Sequence, residues 1–182
     1  MSATRARQTN VLGIAGYFWR MCLLRAGPEA LPSSNFVTGF VLALYLPVAI
    51  TVSSLTRPGE AVDVTLIVVA TAILIQAIVT FALTAYKGLK QRFRATWTAL
   101  LGTNAFMLIV LLPFSLIIVN VENQTLRLFA DSAWWICFGW WLAIAGHIYH
   151  RAINVSVLQG SAIAFLTEML SVFVTLSVIP GN

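Results

Sequence analysis

Apolar residues fill nearly the whole chain after residue 35, and they come in long uninterrupted runs instead of the alternating patterns of half-buried strands or surface helices. Five runs, at 36–55, 62–86, 95–119, 133–150 and 152–179, each hold about the twenty residues that a helix needs to cross a bilayer. The pattern predicts an all-α integral membrane protein of five transmembrane helices in one domain, residues 36–182. Pro47 should kink the first span, and Pro113 lies near the far end of the third.

Residues 1–35 read differently. The first ten are polar, and the apolar stretch at 11–24 is interrupted by Arg20. Fourteen residues make only about 21 Å of helix, too short to span. With Tyr17, Phe18 and Trp19 beside Arg20 and Arg25, this stretch predicts an amphipathic helix lying in the headgroup region with its cations toward the cytosol. A cleaved signal peptide is the competing expectation, and Arg20 inside the apolar run argues against it. Gly27, Pro28 and Pro32 then break any helix, and Ser33, Ser34 or Asn35 can cap the first span.

Charge fixes the expected direction of these spans. The hinge KGLKQRFR at 87–94 places four cations between two apolar runs. On the predicted map Arg5, Arg7, Arg20, Arg25, Lys87, Lys90, Arg92, Arg94 and Arg151 fall on one side, and only Arg57 and Arg127 on the other. Such a bias predicts a cytoplasmic N-terminus and an outside C-terminus. Trp134 and Trp135 then sit at the outer interface, with Trp97, Tyr86 and Tyr149 near the inner one. A composition 59% hydrophobic and 9% charged cannot clothe a water-soluble globule. The net charge of +5 points to anionic lipid headgroups and not to nucleic acid, because the cations flank apolar runs. Arg20, Arg25, Lys87, Lys90, Arg92, Arg94 and Arg151 are the expected lipid contacts. Cys22 and Cys137 fall on different sides or depths, so no disulfide is expected.

Candidate chemistry is sparse. Glu168 is the one carboxylate well inside a span; it should face protein as a neutral acid hydrogen-bonded to Thr51, Ser53 or Thr71, with proton or ion handling as the alternative. Gly160 and Ala164 lead to it in steps of four, a ridge on which another helix can pack closely. Tyr45, Gln76 and Asn104 each lie nine or ten residues from a cytoplasmic helix end and could form one polar layer near the midplane. Trp140 and Trp141 lie too deep for an aromatic belt, and packing, a flat apolar ligand or a partner helix could use them. His147, His150 and Arg151 share one side of a helix end, which suits headgroup contact better than a metal site. Phosphate-binding glycine motifs, paired carboxylates, zinc spacings and nucleophile–base pairs are absent from the sequence, so no enzyme, metal or cofactor is expected.

Five closely spaced spans after a cytoplasmic region, together with RAGPEALPSS, RFRATWTALLGTNAFMLIVLLP and HIYHRAINVS, resemble the YIP (Ypt-interacting protein) type of small membrane protein, particularly its bacterial members. The resemblance implies a multi-pass protein of the bacterial cytoplasmic (inner) membrane and carries no catalytic residue over. The Asp-Leu-Tyr-Gly-Pro motif of the eukaryotic proteins is represented here only by Gly27-Pro28 and Leu31-Pro32. The functional expectation is a non-enzymatic scaffold or accessory subunit, in contact with lipids and with other membrane-protein subunits or further copies of itself. A small transporter or channel using Glu168 and the polar layer, and a membrane-organising YIP-type protein, are the alternatives.

Overall fold

The computed structural model describes residues 11–31 and 34–179. Arg5, Arg7, Pro32, Ser33 and the chain after Ile179 lie outside them. Among the described residues there are six helices and no strand: α1 (Val11–Cys22), α2 (Asn35–Thr56), α3 (Val62–Tyr86), α4 (Phe93–Asn120), α5 (Gln124–Ile153) and α6 (Val157–Val178). The last five are long and apolar enough to cross a membrane. α2 begins where expected, with the Ser34 hydroxyl accepting from Val37 N at 3.2 Å. It runs through Pro47, as α4 runs through Pro113.

Two boundaries differ from the sequence reading. α5 starts at Gln124 and not at 133, because the Asn123 side chain accepts from Thr125 N and Leu126 N and caps a helix there. The segment expected as a loop around Arg127 and Asp131 is helical. α6 starts at Val157 and not at 152: Asn154 closes α5 in the left-handed conformation (φ 55°), and Ser156 with Gln159 forms a reciprocal capping box.

The five long helices close a ring: α2 packs on α4, α4 on α5, α5 on α6, α6 on α3, and α3 returns to α2. The outward faces are apolar, and the inward faces of α3 and α6 are rich in small and hydroxyl side chains. Large aliphatic and aromatic side chains such as Leu158, Ile136, Phe173 and Leu166 point outward. The inward side of α3 carries Thr65, Val69, Gln76, Thr80 and Thr84, and that of α6 carries Gly160, Ala164, Thr167, Ser171 and Thr175. In lipid, apolar surface gains nothing by being buried, so helices associate through small residues that bring backbones close and through interhelical hydrogen bonds. Tyr149 and Thr80 hydroxyls meet at 3.1 Å, Thr38 and Thr98 at 2.8 Å, and Ser161 Oγ donates to Leu142 O at 2.9 Å.

One end of the ring is tightly sealed. At the end carrying the basic hinge, Leu100, Leu101, Ile144, Ile148, Tyr149 and Ile153 are all but inaccessible. The Arg92 guanidinium donates to Ala152 O at 3.1 Å, capping the carbonyl-rich end of α5 and tying the hinge to it. α1 packs against α4 and α5, with the Phe18 ring against Gly102, the Trp19 ring edge-on to Phe106, and Trp140 Nε1 donating to Cys22 O at 2.9 Å. Gly102, Phe106 and Trp140 lie towards the middle of their helices, so the C-terminal turn of α1 is seated well along the bundle. Arg20 and Arg25 remain exposed. Chain direction then reverses through a left-handed Leu24, and Tyr17 donates its hydroxyl to Gly27 O.

Candidate functional site

Towards the end opposite the hinge lies an open cavity of about 480 Å³ to which all five long helices contribute. Arg57, Ser115 and Trp134 surround it near the helix ends, and Tyr45, Gln76, Asn104 and Glu168 mark its floor near the helix midpoints. Four polar residues singled out from four different spans therefore meet in one space. Glu168, eight residues beyond Gly160 on the packed side of α6, is carried there because the close crossing at Gly160 holds that side against α5.

The floor is incompletely hydrogen-bonded. Trp141 Nε1 donates to Asn104 Oδ1 at 2.5 Å, which fixes how the Asn104 amide stands. No hydrogen bond or ion pair among the described residues engages the Glu168 carboxyl, the Tyr45 hydroxyl or the Gln76 amide. Tyr45 and Gln76 keep only 7% and 6% of their surface, yet the one polar side-chain atom both sealed and unpartnered among the described residues is Trp97 Nε1. The free polar atoms of the floor thus reach the cavity, where water or a ligand can satisfy them. The expected hydrogen bonds from Glu168 to Thr51, Ser53 or Thr71 are not made: Ser53 lines the cavity, while Thr51 is exposed on the ring's outer side.

An aromatic ladder on α5 forms one wall. Trp134 stacks on Phe138 at 5.5 Å between centroids, and Phe138 on Trp141 at 5.7 Å, with Trp135 edge-on to both Trp134 and Phe138. Steps of four and three put these rings on one side of a helix. Sequence reading treated Trp134 and Trp135 as interfacial anchors and passed over Phe138; the 134, 138, 141 spacing was the available signal.

The residues expected to meet a partner are engaged within the chain. A Cβ on Gly160 would strike the Gly146 carbonyl oxygen, and one on Gly146 would stand 2.6 Å from Val157 O, so this pair is a backbone-to-backbone crossing of α5 and α6. Ala164 is buried beside it, Trp141 lines the cavity, and Trp140 bonds to the end of α1. The helix that packs on the Gly160 and Ala164 ridge is thus the chain's own α5, and Trp140 and Trp141 are used in packing within the chain.

At the hinge end, Arg20, Arg25, Lys87, Lys90, Arg92, Arg94 and Arg151 are all exposed. Arg151 pairs with Glu29 at 2.5 Å, and with Arg92 and His150 they border a second cleft of about 530 Å³. His150 Nδ1 lies 2.6 Å from Val155 O, and the His147 and His150 rings are 6.3 Å apart. No group of three metal-ligating side chains occurs among the described residues. Cys22 and Cys137 are free thiols. Compared with known proteins, the chain matches no family model, no curated protein and no solved structure.

Proposed function

We propose that this chain is a small multi-pass membrane protein that binds a solute in its central cavity and moves it by way of Glu168, with the hinge at 87–94 and the N-terminus in the cytosol of a bacterial cell. The observation that carries this reading is the convergence of Glu168, Tyr45, Gln76 and Asn104 on one cavity with three of the four lacking a protein partner. A dry scaffold core would leave such groups unmet at a cost, whereas a cavity that admits water or a solute satisfies them. The scaffold expectation drew on short loops, small-residue ridges and the deep tryptophans; Gly160 and Ala164 pack on the chain's own α5, and Trp140 and Trp141 bond within the chain. The cation bias favours the stated orientation, and on it the cavity opens to the outside and is closed toward the cytosol.

Accessibility tests the reading without knowledge of the solute. In a chain with Cys22 and Cys137 replaced by alanine, Ala72→Cys on the cavity wall should react with a membrane-impermeant thiosulfonate added outside, and not with the same reagent added inside. A site unreactive from both faces would mean a dry interior and would defeat the proposal.

A further inference from the structure

Resting on that reading, we infer that the solute is a lipophilic organic cation, neutralised by Glu168 and held along the Trp134, Phe138 and Trp141 ladder. The cavity's volume of about 480 Å³ falls among organic-ligand sites and far exceeds what a bare ion fills. Its wall is largely aromatic and aliphatic, which selects a ligand with apolar surface. Its floor holds one carboxyl with no cationic partner, which selects positive charge. Aromatic faces carry negative potential and attract cations, tryptophan most strongly, so wall and floor favour the same ligand.

The rival ligand classes each leave something unmet. An anion would meet the aromatic faces with the wrong sign and would find no cation on the floor. A neutral hydrocarbon would leave Glu168, Tyr45 and Gln76 unsatisfied. A divalent metal would find one carboxylate where several ligands are needed, and no cluster of three such groups exists among the described residues. Among the described residues Arg57 is the one cation bordering the cavity; it is exposed at the mouth, twelve residues beyond Tyr45, or about 18 Å along α2. At that separation in water its charge is screened.

Three probes of one shape class decide the matter: tetraphenylphosphonium, tetraphenylborate and neutral triphenylphosphine oxide, each dialysed against the purified full chain in detergent with protein-free micelles as blank. Tetraphenylphosphonium should bind saturably and quench tryptophan emission. Glu168→Gln should weaken it tenfold or more, Glu168→Asp should stay within a few-fold, and Phe138→Leu should cost several-fold. Tetraphenylborate or the neutral oxide binding as tightly as the cation would overturn the inference, as would unchanged affinity in Glu168→Gln or no binding of any probe. Those failures beside intact labelling of Ala72→Cys would remove the cation and leave the cavity, whereas lost labelling would remove the cavity itself.

Discussion

Leu24 is the residue where local conformation and side chain disagree most. It occupies the left-handed region (φ 59°), while Leu24 N–H donates to Met21 O and Arg25 N–H to Arg20 O, the paired bonds of a helix stop that glycine usually provides. A Cβ there costs about 1–2 kcal/mol, and the Leu24 side chain is 42% exposed, so it recovers little by packing. Leu24→Gly is therefore expected to stabilise the fold by about 1 kcal/mol, read as a higher unfolding midpoint in detergent. Gly160 presents the opposite case. Gly160→Ala must push α5 and α6 apart at their carbonyl contact, at a cost of about 1–3 kcal/mol, whereas Gly139→Ala meets open space and should be neutral in the same assay. Beneath them, burial pushes the Cys22 thiol from an ordinary 9.0 up to about 11. Because the folded state holds that proton more tightly, the stability it contributes is complete below about pH 9 and is lost as pH rises through 11. Unfolding midpoints should fall over that window more steeply for the native chain than for Cys22→Ala.

At the scale of elements, the five long helices were legible because a twenty-residue apolar run has few other readings. Their ends were less so. Gln124–Ile153 is about 45 Å long and exceeds a bilayer's apolar slab, so a reading keyed to hydropathy stopped at its edge and took Arg127 and Asp131 for a loop. The start of α6 carried its own signal, Ser156-x-x-Gln159, which apolarity from residue 152 onward masked. α1 was expected to float in the headgroups. Hydropathy cannot report that Gly102 leaves a notch shaped for Phe18. Filling the notch with Gly102→Ala should displace Phe18 and loosen α1, seen as faster proteolysis in residues 23–31 with the five-helix bundle intact. Faster cleavage absent in that variant would mean that α1 is held elsewhere, through Trp140 and Cys22 O.

For the whole molecule, the depth arithmetic that grouped Tyr45, Gln76 and Asn104 succeeded because helices rise uniformly, so equal distances from one membrane face become equal heights in the ring. Which helices neighbour one another was not legible: the order α2, α4, α5, α6, α3 follows from threonine and glycine faces whose hydropathy is unremarkable. Five helices are long and apolar enough to cross, and five crossings would leave the chain's two ends on opposite sides. Thiols introduced at Gln91 should label from the cytosolic side, and those at Glu122 and Ile179 from the other; a shared side for Gln91 and Ile179 would refute the arrangement. One consequence concerns movement. Where α5 and α6 touch through Gly146 and Gly160, backbone meets backbone and the Ser161 hydroxyl bonds across to Leu142 O, so the two helices are pinned at that point. Glu168 stands about 12 Å further along α6, at the end of a lever arm that begins at this pinned crossing. A few degrees of rocking there would widen or narrow the chamber at the acid while leaving the sealed end undisturbed.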